Sequence, residues 1–564
     1  MRVPGQGMDA ASGTSTLTSA APPEGWQSVA GYDWRAIAVP ELGKWQPTRS
    51  ISVVLPAFNR QAELDRALAA LAQQRYPGSL MEVIVVDDGS QPPLMLSEYV
   101  PDNTRLMRLE RDVEWGRGRT RHAGALAADG EILLFLDADM VAHPQHLEAH
   151  ARWHHAVRDA VTLGHKLFVD FDGITPAQVH DAAANGELSD LVADRPQQEH
   201  DWVERLIERT DELTKYHSKM FLAAVGATVG MRADLYRETG GFRTHLDGGE
   251  DMELGYRLMT AGAVFIPERQ ARSWHQGPAT YMTRADETRR QNQPHFSNYV
   301  PVPGGFRPWT PGRQYAVPMV NVMVEVGESY EETKTCVDAL LAGLETDLRV
   351  DIWGTAPDDC LNMLHADYHA DPRVQLRIDE PETGYPSRFT LSLPAWVGLS
   401  TDSMVTMVGM LERSGCGALR VVLPSATGPR TDVFLWRTAA LLRAQRISSD
   451  RAEAEAIAVR LFGEQSATAP QVGLVDLRQA SLPALPRAQL PAHVALERLA
   501  RAQAELQGLR RRHRRLRTRY GTLAATLGQN PLLSPTERGR SLPALRKLLV
   551  KLGPAASQLL RRVQ

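Results

Sequence analysis

Cysteines are rare in this 564-residue sequence, long apolar runs are missing, and no dinucleotide fingerprint is present. The three cysteines, Cys336, Cys360 and Cys416, form no CxxC pair, which argues against a disulfide framework and against a cysteine-ligated zinc site. The longest apolar stretch, 220–231, is much shorter than the roughly 20 residues of a membrane-spanning helix. Residues 1–13 have no apolar core, so we expect no signal peptide and predict a cytoplasmic protein.

Strand and helix patterns alternate in the first third of the chain. Apolar runs at 51–55 and 83–86 predict two buried strands, and 63–73 between them has the apolar spacing of an amphipathic helix. A strand–helix–strand unit of this kind opens a Rossmann-like nucleotide-binding fold, so we predict an α/β protein. No GxGxxG follows the first strand, which argues against a dinucleotide cofactor.

A third apolar run, 132–136, leads directly into Asp137-Ala138-Asp139. An unbroken apolar run fits a strand buried on both faces of a parallel sheet, and such sheets bind ligands at the carboxyl ends of their strands. One aspartate can then face a cation while the other reaches a sugar or ribose hydroxyl. A solvated turn after a core strand is the alternative explanation.

Three arginines, Arg117, Arg119 and Arg121, lie in the first turn of the helix predicted at 116–128. Cations at that position oppose the helix dipole, and a bound anion nearby would compensate for this cost. Three solvated arginines remain the alternative.

Six short motifs occur in a fixed order along the chain. They are PAFN at 56–59, DDGS at 87–90, TRHAG at 120–124, DAD at 137–139, GGF at 240–242 and GGEDMELGYRL at 248–258. Together they resemble the family 2 glycosyltransferases with the GT-A fold, over roughly residues 45–300. The GGED-type motif is similar to that of chondroitin-polymerase and β-1,4-galactosyltransferase catalytic domains.

The resemblance implies a role for each matching position. The residues it assigns to the nucleotide-sugar are Pro56, Ala57, Asp87, Asp88, Arg121 and Asp137. It assigns Mn²⁺ or Mg²⁺ to Asp139 and His275, and catalysis to Glu250 and Asp251, with Asp251 as the general base. A helix N-cap at 250–251 and a histidine packed beside Trp274 are the alternatives. His122 and Leu246-Asp247 depart from the family pattern, which leaves the acceptor pocket open.

The reaction that follows is an inverting, metal-dependent transfer of a sugar from a nucleotide-sugar, a UDP-sugar by preference, to a hydroxyl of a glycan or glycolipid. The leaving group is a nucleoside diphosphate, whose charge a divalent cation neutralises. A carboxylate at a helix start can deprotonate the attacking hydroxyl. A non-catalytic scaffold that keeps a transferase fold and a metal-dependent nucleotidyltransferase are the alternatives.

A second α/β unit opens at Val317, because 317–353 repeats the strand, helix and strand order of 51–88. The repeat has no carboxylate at 393–396, so we predict a degenerate copy that does no chemistry. Apolar residues three and four apart along 499–527 predict a coiled coil. The predicted organisation is 1–30 disordered, 31–310 GT-A domain, 317–480 degenerate GT-A-like domain, 482–491 linker, 492–528 coiled-coil helix and 529–564 basic amphipathic tail.

Basic residues concentrate at the C-terminal end, although the net charge of the whole chain is only −4. Residues 491–564 hold sixteen Lys or Arg against three Glu, which gives this segment a charge of +13 and leaves −17 for the rest. Such a segment suggests an anionic partner. We predict peripheral attachment to the inner face of the cell membrane, or a homodimer through the heptad helix, and no nucleic-acid partner.

Overall fold

Two sheets organise the chain in this computed structural model, which describes residues 25–110, 116–246, 248–277, 280–303, 306–307, 312–423 and 431–478. The first sheet contains β1 (Ile51–Ala57), β2 (Met81–Asp87), β3 (Thr104–Arg108), β4 (Ile132–Leu136), β5 (Met140–Ala142), β6 (Ala160–Val169), β7 (Gln198–Glu199), β8 (Thr228–Arg232) and β9 (Val264–Gln276). The second contains β10 (Val320–Glu325), β11 (Leu348–Trp353), β12 (Val374–Arg377), β13 (Phe389–Pro394), β15 (Ala418–Leu423), β16 (Thr431–Arg437) and β17 (Glu464–Thr468). A separate pair joins β14 (Val397–Leu399) to β18 (Leu474–Asp476).

The first sheet has the strand order β3-β2-β1-β4-β8-β6-β9-β5, with β7 beside β6. Strands β3, β2, β1 and β4 run parallel, β8 is antiparallel to both β4 and β6, and β9 is parallel to β6. All residues of β2 and β4 are buried, as their unbroken apolar runs predicted. The carboxyl ends of the parallel strands therefore meet at one edge.

Thirteen helices lie in the described part of the chain. They are α1 (Gln61–Leu71), α2 (Arg117–Leu126), α3 (His146–Ala156), α4 (Pro176–Asn185), α5 (Asp201–Arg209), α6 (Ala233–Glu238), α7 (Glu250–Thr260), α8 (Thr280–Tyr299), α9 (Tyr330–Leu341), α10 (Asp358–Tyr368), α11 (Ser403–Ser414), α12 (Thr438–Gln445) and α13 (Arg451–Phe462). The helices expected at 63–73 and 116–128 are confirmed as α1 and α2. None of the described helices has the length and apolarity that crossing a bilayer requires.

The second sheet has the order β12-β11-β10-β13-β16-β15-β17. Its strand directions follow those of β3-β2-β1-β4-β8-β6-β9 one for one, with β12, β11, β10 and β13 parallel, β16 antiparallel to both neighbours, and β17 parallel to β15. The strand corresponding to β4 is β13, and it ends at Pro394 and continues into Ala395-Trp396. No carboxylate follows it, as the sequence indicated.

The two sheets share buried contacts within one compact unit. Trp436 and Ala440 of the second sheet region belong to the same apolar cluster as Leu254 and Phe265 of the first. The Tyr256 hydroxyl donates to the Pro386 carbonyl at 2.6 Å. The sequence patterns predicted two domains, 31–310 and 317–480. They could not indicate the packing between the two sheets, because local periodicity carries no information about which surfaces pack together.

The described chain begins before the predicted boundary of disorder at residue 30. Val29 is buried, and the Gln27 amide donates to the Ala156 carbonyl at 2.8 Å, so residues 25–30 pack against α3. Trp34 meets Trp153 of α3 edge to face. Residues 1–24 of the segment predicted to be disordered, and the predicted linker 482–491, coiled coil 492–528 and tail 529–564, lie outside the described residues.

Candidate active site

The turn after β4 brings Asp137 and Asp139 to the carboxyl edge of the first sheet. The Met140 amide donates to the Asp137 carbonyl at 3.0 Å, which closes the turn before β5. The Asp137 amide donates to the Ala227 carbonyl at 3.1 Å, so the loop preceding β8 also borders this edge. Both aspartates therefore have fixed backbones rather than a free solvated turn.

Asp139 and His275 face each other across the β5–β9 pair. His275 is the strand partner of Met140, and its Nε2 lies 3.5 Å from Asp139 Oδ1. His275 Nδ1 lies 2.9 Å from the Gly277 carbonyl oxygen. Because a carbonyl can only accept, Nδ1 donates to it, and Nε2 is the ring nitrogen that faces Asp139. This orientation suits a metal ligand.

The surroundings of Asp139 are suited to binding a cation. Burial raises the pKa of its carboxyl, and the charge of Asp137 raises it further, while His275 opposes both. Asp139 Oδ1 is buried and accepts no hydrogen bond. In the described ranges, no group of three or more His, Cys, Asp or Glu could hold a metal. Two protein ligands therefore fit a cation that takes its other ligands from water or substrate phosphates, as Mg²⁺ commonly does.

Arg121 joins the two acidic parts of the site. Its side chain is 2% exposed, and its Nη2 donates to Asp137 Oδ1 at 2.6 Å while Nη1 donates to Glu250 Oε1. The close approach of Gly226 makes room for it, since a Cβ there would lie 2.8 Å from the Arg121 Cζ. The sequence placed Arg121 near the nucleotide. In the structure its two terminal nitrogens bind carboxylates, and its role at the nucleotide stays a prediction.

The pKa values of the two carboxyls that Arg121 contacts shift in opposite directions. Burial tends to raise the pKa of Asp137, but Arg121 and further cations outweigh this, and the pKa is lowered. Burial also raises the pKa of Glu250, and there Arg121 opposes it without reversing the shift. Glu250 Oε2 is buried without a hydrogen-bond partner.

Asp251 lies one residue into α7, where its carboxylate accepts two backbone hydrogen bonds. Oδ2 accepts from the Gly226 amide at 3.0 Å and Oδ1 from the Met252 amide at 2.8 Å. Gly249, in the left-handed conformation with φ of 79°, is the residue that caps α7. Glu250 and Asp251 are thus the first helical residues rather than the N-cap, and they complement the helix dipole.

Asp87 and Asp88 end β2, separated from β4 by β1. Asp87 is buried and engaged by its own loop, since Oδ1 accepts from the Ser90 amide at 2.8 Å and Oδ2 from Arg108 at 3.0 Å. The Asp88 amide donates to the Ala57 carbonyl at 2.9 Å, which ties the two strand ends together. The predicted nucleotide residues of this part, Pro56 included, therefore lie at adjacent strand ends.

Lys166 is a site residue that the sequence analysis missed. It lies in β6 and is 8% exposed, and the negative charges of Asp137, Asp251 and Glu204 act on its ammonium. The sequence around Lys166 has no clear periodicity and no motif, so nothing in it singled out this lysine. Only the folded structure places it near the carboxylates.

Comparison with known proteins identifies the domain. Residues 52–229 match the family model described as Glycosyl transferase family 2. The chain carries a family 2 glycosyltransferase domain. The mixed sheet with its acidic strand end is the GT-A-like α/β fold expected for it. The GGED-type motif at 248–251 lies beyond the matched residues.

Relatives of this glycosyltransferase domain match only part of their own length. A chondroitin synthase of Pasteurella multocida (strain Pm70) is 26% identical over 362 residues, which cover 60% of this chain and 36% of that protein. A validoxylamine A glucosyltransferase of Streptomyces hygroscopicus subsp. limoneus is 32% identical over 242 residues, 40% of this chain and 50% of the relative. The chain thus spans between about a third and a half of these relatives.

Among solved structures, the mannosyltransferase PcManGT from Pyrobaculum calidifontis in complex with GDP-Man and Mn²⁺ is similar, with 16% identity and a TM-score of 0.32. The match covers 48% of this chain and 68% of that structure.

Proposed function

We propose that this chain is an inverting, metal-dependent glycosyltransferase that moves a sugar from a UDP-sugar to a hydroxyl of a glycan or glycolipid. The observation that carries the proposal is the Arg121 bridge, which joins the acidic turn after β4 to the start of α7. A donor-binding carboxylate and the helix that presents a base are thereby held in one site. The names of the relatives, a chondroitin synthase and a glucosyltransferase, support a sugar-transfer reaction.

Asp139 and His275 are the residues that would hold the Mn²⁺ or Mg²⁺ of this reaction. Oδ1 of Asp139, which is buried and accepts no hydrogen bond, faces Nε2 of His275, and this arrangement supports the assignment. When bound, such a cation neutralises the charge that develops on a nucleoside diphosphate leaving group. Asp137, kept ionised by Arg121, accepts hydroxyl hydrogen bonds from the ribose or the donor sugar.

Asp251 is the general base of the proposed reaction. It takes the proton of the acceptor hydroxyl as the acceptor oxygen bonds to the anomeric carbon, and the bond from that carbon to the diphosphate oxygen breaks on the opposite face. One in-line displacement inverts the anomeric configuration. The two backbone hydrogen bonds to Asp251 orient its carboxylate, and Glu250 holds hydroxyls of the substrates.

The second sheet is proposed to be a degenerate copy of the first that does no chemistry. Its matching strand order and directions support a common origin of the two units. At the strand ends that correspond to those of Asp87 and Asp137, it has Trp353 and Pro394. Neither residue has a carboxylate that could bind the nucleobase or a cation.

A donor survey tests the proposal. The full chain is incubated with a panel of UDP-sugars, with Mn²⁺ or with a chelator, and released UDP is measured with and without oligosaccharide acceptors. We expect metal-dependent UDP release with at least one donor, which Asp251→Asn lowers. Product anomeric configuration, read by NMR, must be opposite to that of the donor.

Other outcomes identify the alternatives. A folded protein that releases no UDP from any donor, while it binds oligosaccharides, is a scaffold. Release of pyrophosphate from nucleoside triphosphates, in place of UDP from UDP-sugars, identifies a nucleotidyltransferase. Retention of the donor's anomeric configuration would contradict the role of Asp251.

A further inference from the structure

Lys166 lies on the face of the first sheet that carries His275, one of the two proposed ligands of the cation. In the β6–β9 register, Phe168 is the partner of His275, and their rings are 5.0 Å apart. Side chains two residues apart on a strand share a face, so Lys166 is on the same face as Phe168 and lies one step further from the strand end. The electrostatic influence of Lys166 on His200, whose ring also meets Phe168, agrees with this placement.

The side chain of Lys166 is largely buried, and its ammonium has no protein partner among the described residues. Among the described residues it makes no hydrogen bond and no ion pair, although its side chain is more than nine-tenths buried. Burial lowers its pKa to about 8, and the carboxylates of Asp137, Asp251 and Glu204 counteract part of this shift. Partial desolvation of an ammonium without a protein partner is unfavourable, and a bound anion would offset this cost.

The neighbouring buried cation contrasts with Lys166. Arg121 donates from one terminal nitrogen to Asp137 and from the other to Glu250, while its Nε is buried without a hydrogen-bond partner. Lys166 shares only Asp137 with Arg121, since the carboxylates that act on its charge are Asp137, Asp251 and Glu204, and among the described residues none of its three N–H donors has a protein partner. Arg121 is therefore fixed by two ion pairs, whereas Lys166 keeps all its donors for a ligand.

We propose that Lys166 binds the donor, with its ammonium donating to an anionic oxygen of the nucleotide-sugar. The oxygen belongs either to the diphosphate or to a carboxylate on the transferred sugar, and both have the chemistry that a lysine recognises as a point charge. We identify the ligand as the donor for two reasons. Lys166 shares a sheet face with His275, and the charge of Asp137 acts on the ammonium of Lys166. This inference rests on the proposed transferase function.

Binding measurements with four probes test the proposal on the full chain. Uridine, UDP, UDP-glucose and UDP-glucuronate are titrated in the presence of Mn²⁺, with uridine measured by competition, into the wild type, Lys166→Met and Lys166→Arg. Lys334→Met, which removes a half-exposed lysine of the second sheet region, is the matched control. Thermal unfolding of each variant confirms that it is folded.

If the diphosphate is bound, Lys166→Met weakens UDP, UDP-glucose and UDP-glucuronate by about tenfold to a hundredfold and leaves uridine unchanged, since hydrogen bonds to charged groups have this strength. If a sugar carboxylate is bound, only UDP-glucuronate weakens. Lys166→Arg keeps most of the affinity in both cases, and Lys334→Met changes nothing.

Two results overturn the inference. In one, folded Lys166→Met binds all four probes as the wild type does. In the other, it loses affinity equally for uridine and for the charged probes, which is the signature of a purely structural lysine. A wild type that binds none of the probes contradicts the proposed function itself, and the inference with it.

Discussion

The two sheets of this chain have the same strand order and directions, yet they differ at the strand ends. In the first, Asp137 and Asp139 follow β4, and α7 begins with Glu250 and Asp251. In the second, Ala395-Trp396 follows β13 and α13 begins with Arg451. Strand pairing uses backbone groups and buried apolar side chains, which both sheets retain. The comparison teaches that this architecture does not depend on the chemistry of its edge.

Replacing Asp139 by alanine removes a carboxylate that follows β4 and that has no counterpart after β13. We expect Asp139→Ala to abolish detectable Mn²⁺-dependent UDP-sugar binding, because His275 alone is a poor site for a hard cation. Calorimetric titration with and without Mn²⁺ measures this, and circular dichroism checks the fold. Asp129→Ala, at a highly exposed aspartate, is the control. Unchanged binding by a folded Asp139→Ala would show that the cation is held elsewhere.

Replacing Asp251 by asparagine tests the start of α7 in the same comparison. The amide keeps the shape and one acceptor oxygen but cannot take a proton, so turnover should fall by about a hundredfold to ten-thousandfold. Affinity for UDP should stay within about threefold, since Asp251 meets the acceptor. Initial rates and UDP titration separate the two quantities. A near-normal rate would assign the base to another residue.

The packing of the second sheet on the first can be broken at Arg446. This buried guanidinium contacts Asp159 at 2.9 Å and Glu238 at 3.0 Å, and both carboxylates belong to the first sheet region. Arg446→Met removes the ion-pair partner of Asp159 and leaves Glu238 only Arg158, which should lower the free energy of unfolding by about 3–5 kcal/mol. Denaturant unfolding measures it, with the exposed Arg460→Met in α13 as the control.

We expect a single unfolding transition for wild type and variant, because the sheets share one apolar cluster. Two separate transitions would indicate independent domains. For the same reason, residues 317–480 expressed alone lose part of their core, so nucleotide binding is better tested in the full chain.

Helix α3 differs from its counterpart α11 by a buried row of histidines, His146, His150 and His154. Their rings contact the hydroxyls of Thr162 and Thr228, and burial lowers the pKa to about 4 for His146 and about 3 for His154. The unfolded chain titrates near 6.5, so the folded state binds fewer protons below that pH. Stability is complete above pH 6.5 and falls as the solution is acidified.

The loss should reach about 1–2 kcal/mol per histidine between pH 7.5 and 5. Denaturant unfolding at a series of pH values gives the slope. His154→Leu should make the slope shallower, and His369→Gln, at the exposed residue that follows α10, should not. A stability that does not change across this interval would mean that the row is protonated or solvated in the folded protein.

Elements with strong local patterns were predictable from the sequence. Strands β1, β2 and β4 were recognisable because buried parallel strands require unbroken apolar runs, and each ends at a motif that could be located. The apolar run at 220–231 does not define one element, since its only strand residues are the first four of β8, Thr228–Arg232. The run is apolar throughout, and a short 3-10 helix at Met220–Ala223 satisfies the same pattern.

Partners distant in sequence were not predictable. Arg443 donates to the Gly262 carbonyl at 2.6 Å, and no periodicity links positions 181 residues apart. The same holds for the Arg121–Glu250 pair, whose members belong to different motifs. The candidate residues of the site could be named from composition and order, but their mutual contacts depend on tertiary packing.

The single guanidinium of Arg121 has a thermodynamic consequence. In the proposed reaction Asp137 meets the donor and Glu250 meets hydroxyls of the substrates, so a substrate that draws one carboxylate away alters the ion pair with the other. The affinities for the two substrates are then linked by one coupling free energy, and by reciprocity each ligand changes the affinity for the other by the same factor. The strength of this coupling depends on one side chain.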